Sequence, residues 1–184
     1  MKKILFPATN RVHIARQQIL LRELKNKFDV DIQEYKSEHK DTLNVVADIA
    51  NHFRKVLDNK YDLAIIRGDR FEMLPIAMLY AYKGIPIAHI EGGDQSGAID
   101  NKVRYAITSL SDIHFSTNKE SFKRLISMGT DPDLTFNFGS LDVSYAKTVL
   151  PKRLIEEPYI IVCHHPMLNE DVKVLEKVLK EFEK

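Results

Sequence analysis

Two clusters of charged residues on glycine-rich backbone stand out in this chain. His89-Ile90-Glu91-Gly92-Gly93-Asp94-Gln95-Ser96-Gly97-Ala98 runs into Ile99-Asp100 and then Arg104, and upstream Arg67-Gly68-Asp69-Arg70 sets a carboxylate between arginines. A carboxylate released at the end of an apolar run needs a partner or a task, and proton transfer is the task such groups perform. Each cluster directly follows an apolar segment, Leu63-Ala64-Ile65-Ile66 for the first acid and Ile85-Pro86-Ile87-Ala88 for Glu91. Both segments read as buried strands of a parallel sheet. Their carboxyl ends are where open α/β sheets take ligands, so Asp69 and Glu91 are expected to face one cleft.

The rest of the chain supplies the frame for those ends. Strand signals at Ile4 to Phe6, Val30 to Ile32, Ile113 to Phe115 and Phe136 to Phe138 alternate with helical periodicity, giving an α/β, doubly wound, Rossmann-like sheet of six parallel strands. Helices are expected up to Lys25, through Val45, Val46, Ile49, Phe53, Val56 and Leu57, and over Met73 to Tyr82 and Asp100 to Leu110. Tyr80, Tyr82, Met73 and Met78 read as core. Thr117-Asn118-Lys119-Glu120 has the spacing of a capping box, and a further helix carries Val143, Ala146 and Val149. Pro151 and Pro158 flank a charged stretch that divides a first domain, 1–150, from residues 151–184, where Tyr159-Ile160-Ile161-Val162 has a buried-strand signature before one charged helix.

Composition excludes several classes. The 184 residues carry 44% hydrophobic and 29% charged side chains with a net charge of +1, which argues against disorder and against nucleic-acid or anionic-membrane binding. Any phosphate binding must be local. A single cysteine, Cys163, precludes an internal disulfide, and Pro7 follows the basic start too soon for a secretion signal; a cytoplasmic protein without a membrane span is expected. Neither G-x-G-x-x-G nor the P-loop pattern occurs, so no dinucleotide or P-loop chemistry is supported. Asp112-Ile113-His114 and His164-His165 resemble pieces of metal-dependent phosphoesterases but stand in the wrong order, and no cofactor is expected.

Gly68-Asp69-Arg70-Phe71-Glu72, the segment from His89 to Asp100, Arg104-Tyr105-Ala106-Ile107-Thr108 and His165-Pro166 together resemble UDP-N-acetylglucosamine 2-epimerases, particularly the hydrolysing type of sialic acid biosynthesis. The resemblance implies two Rossmann-like lobes in the glycosyltransferase-B arrangement with a UDP-N-acetylhexosamine between them. This chain would be the N-terminal lobe plus the start of the second, completed by a missing C-terminal lobe or second subunit and assembled as a homodimer. Asp69, Glu91 and Asp100 become catalytic carboxylates, with His165 assisting and Arg11, Arg70, Ser96 and Arg104 at the substrate. The implied reaction is UDP-N-acetylglucosamine to N-acetylmannosamine plus UDP. The alternatives are the non-hydrolysing epimerase and a lobe that binds sugar nucleotide without turnover. Asp94 and Asn101 depart from the hydrolysing pattern, which often has Glu and an acid there, and the segment from Asp29 to Tyr61 looks shorter than in many relatives.

Simpler roles remain open for the same residues. Gly-Asp at 68–69 suits a turn, Asp100 suits a helix N-cap, and Arg104 is spaced to pair with Asp100 or to contact substrate. Arg11 also fits a solvated helix start, and His165 an ordinary hydrogen-bonded polar group.

Overall fold

A computed structural model describes residues 1–9, 15–57, 60–96, 99–149, 155–163 and 169–182. It divides into two units, Met1–Val149 and Leu150–Lys184. In the first unit strands β1 (Lys3–Ala8), β2 (Asp29–Glu34), β3 (Leu63–Arg67), β4 (Ile87–Ile90), β5 (Ile113–Ser116) and β6 (Thr135–Asn137) form one parallel sheet in the order β2-β1-β3-β4-β5-β6. Helices α1 (Gln18–Lys25), α2 (Thr42–Val56), α3 (Met73–Tyr82), α4 (Asp100–Ser109), α5 (Lys119–Ser127) and α6 (Leu141–Ala146) connect and cover it. The order reverses between β1 and β3, which places the topological switch point beside the strand that delivers Asp69.

Side chains alternate across the sheet with the period of two that a strand imposes. Leu5, Ala64, Ile66 and Ile87 face one layer with Phe53, Tyr80 and Ile107, while Ile4, Phe6, Ile65, Ala88 and Ile90 face the other with Leu21. Burial on both faces is what turns β3 and β4 into nearly continuous apolar runs.

Several details differ from the sequence expectation for physical reasons. β4 begins at Ile87, two residues late, because Pro86 has no N–H to give the ladder, although its carbonyl accepts from Ala64 N at 2.9 Å. Met73 and Tyr80 are buried, whereas Met78 and Tyr82 are 48% and 87% exposed. The inner stripe of α3 runs through 73, 76, 77 and 80, and 78 and 82 fall on the opposite face. Asn118, not Thr117, caps α5, accepting from Ser121 N at 2.9 Å.

In the second unit, residues 155–163 form no strand, and Tyr159, Ile160, Ile161 and Val162 are 47–78% exposed. A buried parallel strand needs neighbours to pair with, and among the described residues this unit offers only helix α7 (Asn169–Phe182). Among the described residues, no helix is long and apolar enough to cross a membrane.

Candidate active site

β3 and β4 end side by side, and their last residues build the site. Gly68 leaves β3 with φ +81°, a conformation that favours glycine, while its N–H donates to Ile90 O at 2.9 Å. Glu91 leaves β4 with φ +69°, the one described non-glycine residue in that region, while its N–H still donates to Phe115 O at 2.9 Å. A left-handed glutamate costs of order 1 kcal/mol or more and persists only where its surroundings fix it. Here the surroundings are arginines. Arg67, whose side chain is 3% exposed, donates from Nε at 2.8 Å and from Nη2 to Glu91 Oε1, and Arg16 Nη2 lies 3.4 Å from the same oxygen.

Arg67 is itself held on every side. Its Nη2 donates to Asp142 Oδ1 at 2.8 Å and its Nη1 to the Arg16 carbonyl at 2.6 Å. Arg16 in turn donates to Asp142 from Nε at 3.1 Å and from Nη2. Burial alone would raise the Asp142 carboxyl, but hydrogen bonds and charge from Arg16 and Arg67 carry it below the usual carboxylate range. The Asp142 hydrogen bond raises Arg16 in the same exchange.

The second carboxylate has its own cation. Asp69 Oδ2 accepts from Arg104 Nη2, and Arg104 Nη1 donates to the Asp94 carbonyl at 2.7 Å. Asp94 is tied down structurally, its Oδ1 accepting from Thr117 Oγ1 at 2.7 Å and from Ser121 Oγ. Arg70 donates to Glu72 at 2.8 and 3.2 Å and keeps about half its side chain exposed, near the charges of Asp100 and Asp69. Ser96 is pinned to Asn101 Oδ1 by its N–H at 2.8 Å and its hydroxyl at 3.2 Å.

Asp69, Glu91, Arg70, Ser96, Asp100 and Arg104 therefore all lie on segments that leave the carboxyl ends of β3 and β4, whereas Arg11 and His165 lie outside the described residues. Two local readings are corrected. Arg104 pairs with Asp69 rather than Asp100, because its side chain turns back across the loop toward β3. Asp100 is not an N-cap: Ile99 before it already has helical dihedrals, φ −53° and ψ −30°, so Asp100 opens the first turn, where a carboxylate complements the helix dipole.

Sequence reasoning passed over Arg16, Asp142 and His89, and treated Arg67 only as a flank. A readable signal existed for one of them. An arginine closing the apolar run of β3 must be buried, and a buried guanidinium requires a carboxylate.

His89 is fully buried, and burial pushes its imidazole down to about 4, the Gly68 carbonyl offsetting only part of this. The unfolded side chain titrates at its ordinary 6.5, so as pH falls below that value the unfolded chain takes up a proton that the folded chain refuses. Stability should fall by roughly 3 kcal/mol from this group between pH 6.5 and 4 and level off below. Burial lowers His114 and His52 as well, in the same direction. Denaturant midpoints across that window should decline less steeply for His89→Gln than for the parent; identical slopes would contradict the burial argument.

Comparison with known proteins places this geometry in context. The UDP-N-acetylglucosamine 2-epimerase family pattern matches residues 11–184. The chain is 35% identical over 135 residues to the GDP/UDP-N,N'-diacetylbacillosamine 2-epimerase (hydrolyzing) of Campylobacter jejuni, covering 67% of this chain and 35% of that protein. It is 32% identical over 152 residues to polysialic acid biosynthesis protein P7 of Escherichia coli, covering 76% of this chain and 39% of that one. The fold superposes on UDP-N-acetylglucosamine 2-epimerase from Rickettsia bellii with a TM-score of 0.74 at 17% identity, over 80% of this chain and 47% of that chain. The chain thus spans less than half the length of these relatives.

Proposed function

The chain belongs to the UDP-N-acetylglucosamine 2-epimerase family, and on that premise we propose that its carboxylate rim acts on a UDP-N-acetylhexosamine, inverting C2 and releasing UDP. The observation that carries the proposal is the pairing of Asp69 with Arg104 and of Glu91 with Arg67 at adjacent strand ends. We assign residues 1–150 to the N-terminal lobe and 151–184 to the linker and the beginning of a second lobe that closes over the sugar nucleotide, in a homodimeric, cytoplasmic enzyme.

The chemistry follows from the substrate. Hydrogen at C2 of an N-acetylhexosamine is not adjacent to a carbonyl, so direct removal is costly. Breaking the C1–O bond first sends the electron pair out with UDP and leaves an oxocarbenium-like centre, which makes the C2 hydrogen acidic. Diphosphate leaves readily and needs positive charge more than a proton; the half-exposed guanidiniums of Arg16 and Arg70 are suited to supply it. One carboxylate then takes the C2 proton, giving a bound glycal, and a second returns a proton to the opposite face while oxygen adds at C1, an incoming water passing its surplus proton to a carboxylate of the rim. Two faces require two groups, drawn from the three carboxylates Asp69, Glu91 and Asp100. Arg104 and Ser96 shape the floor, and Arg11 and His165 are assigned to substrate and leaving group.

We assign the oxygen nucleophile to water, the hydrolysing reaction, in keeping with the names of two relatives, from Campylobacter jejuni and Legionella pneumophila. No redox cofactor enters this scheme. With the chain completed by a C-terminal lobe of the family, UDP-N-acetylglucosamine in heavy-oxygen water should yield UDP and free N-acetylmannosamine labelled at its C1 hydroxyl faster than anomeric exchange. UDP-N-acetylmannosamine without free sugar would assign the non-hydrolysing reaction, and turnover of UDP-N,N'-diacetylbacillosamine alone would change the sugar.

A further inference from the structure

We propose that His89 is a positioning residue that fixes, through two hydrogen bonds, the relative placement of the three elements carrying Asp69, Glu91 and Asp100. That these three carboxylates react with substrate rests on the function proposed above; the geometry of the tie does not.

His89 lies on β4 two residues before Glu91 and is completely buried. Its Nε2 is 2.8 Å from the carbonyl of Gly68, the residue directly before Asp69. Its Nδ1 is 3.1 Å from Thr108 Oγ1 on α4, the helix that Asp100 opens and on which Arg104 sits one turn before Thr108. Asp100, Arg104 and Thr108 are spaced at i, i+4 and i+8, so they share one face of that helix. One imidazole therefore joins the exit of β3, the end of β4 and the inner face of α4.

The tie has a direction. A carbonyl only accepts, so Nε2 carries the proton, Nδ1 presents a lone pair, and the Thr108 hydroxyl must donate to it. The loop beyond Glu91 is packed against the same pair: a Cβ on Gly92 would stand 3.1 Å from His89 Nδ1 and 3.4 Å from Thr108 Oγ1. Gly68, meanwhile, would bring a Cβ to 3.7 Å from Glu91 Oε2, so the peptide that His89 holds lies directly beneath the Glu91 carboxylate. Letting the Gly68 carbonyl swing frees both Asp69 and the floor under Glu91. Arg104 reports the result, since it bonds at once to Asp69 and to the Asp94 carbonyl.

The test uses the full chain and substitutions that separate hydrogen bonding from bulk. His89→Gln keeps a donor near the Nε2 position, and His89→Leu keeps volume without one. Thr108→Ser keeps the hydroxyl, and Thr108→Val keeps shape alone. Nitrogen-15 NMR should show the Arg104 guanidinium protons resolved in the parent, assigned by their loss in Arg104→Lys. They should persist in His89→Gln and Thr108→Ser and collapse into solvent exchange in His89→Leu and Thr108→Val. The parent's His89 should be the neutral Nε2–H tautomer. In the enzyme completed by a second lobe, His89→Leu should lower kcat about a hundredfold with KM unchanged, the signature of displaced reacting groups, and His89→Gln should recover most of it. Unchanged Arg104 signals in folded His89→Leu, the opposite tautomer, or equal losses for Leu and Gln would each overturn the proposal. Should His89→Leu fail to fold, the Thr108 pair decides by the same readout. A parent without turnover would refute the proposed function, while the guanidinium signals would still decide this one.

Discussion

Asp69→Asn, Glu91→Gln and Asp100→Asn, made singly in the enzyme completed by its second lobe, are each expected to lower turnover roughly a hundredfold to ten-thousandfold, the range for a positioned acid or base. The amides keep volume and remove the charge, so the fold should survive. Glu91→Gln leaves Arg67 with Asp142 and the Arg16 carbonyl as partners, and Asp69→Asn leaves Arg104 with the Asp94 carbonyl. Asp100 differs from both: among the described residues no side-chain hydrogen bond holds its carboxylate, which lies near the charge of Arg70. That freedom suits a group that must approach and leave a sugar carbon. A substitution that spares turnover but sharply lowers the melting temperature would assign its residue to structure.

Arg67→Met should lower stability by about 3–5 kcal/mol, the cost of removing one partner from a buried ion pair. The Arg67 side chain is 3% exposed and bonds Glu91, Asp142 and the Arg16 carbonyl, so its loss leaves the 13% exposed Glu91 carboxylate, among the described residues, with the longer Arg16 contact at 3.4 Å. Urea denaturation of the full chain measures this. Arg67→Met/Glu91→Gln should recover part of the loss, because no uncompensated carboxylate then remains. A single-variant loss below about 1 kcal/mol, typical of exposed pairs, would contradict the burial of this network.

What the sequence made legible was what short-range pattern controls. The apolar runs at 63–66 and 113–115 became internal strands, the stripe from Val45 to Leu57 became α2, and the strand-end rule placed Asp69 and Glu91 on neighbouring strands. Side-chain partners across long separations were not legible. Arg67 meets Asp142 across 75 residues, and Arg104 meets Asp69 across 35; spacing within one helix instead suggested Asp100. His89 looked like one more residue of a motif, since nothing local shows that Thr108 and the Gly68 carbonyl flank its ring. Tyr159 to Val162 misled for the converse reason. An apolar run states a preference for burial, and whether a strand forms depends on a pairing edge that the run itself does not encode.

On the proposed function, carboxylates on this rim remove and return the C2 proton of a UDP-N-acetylhexosamine. Turnover of UDP-N-acetylglucosamine in deuterium oxide measures it directly. The epimerised sugar should carry deuterium at C2, because the proton taken by one carboxylate is replaced from a second that has equilibrated with solvent, and this holds whether water or UDP adds at C1. Epimerised sugar that keeps its original C2 hydrogen would contradict the account.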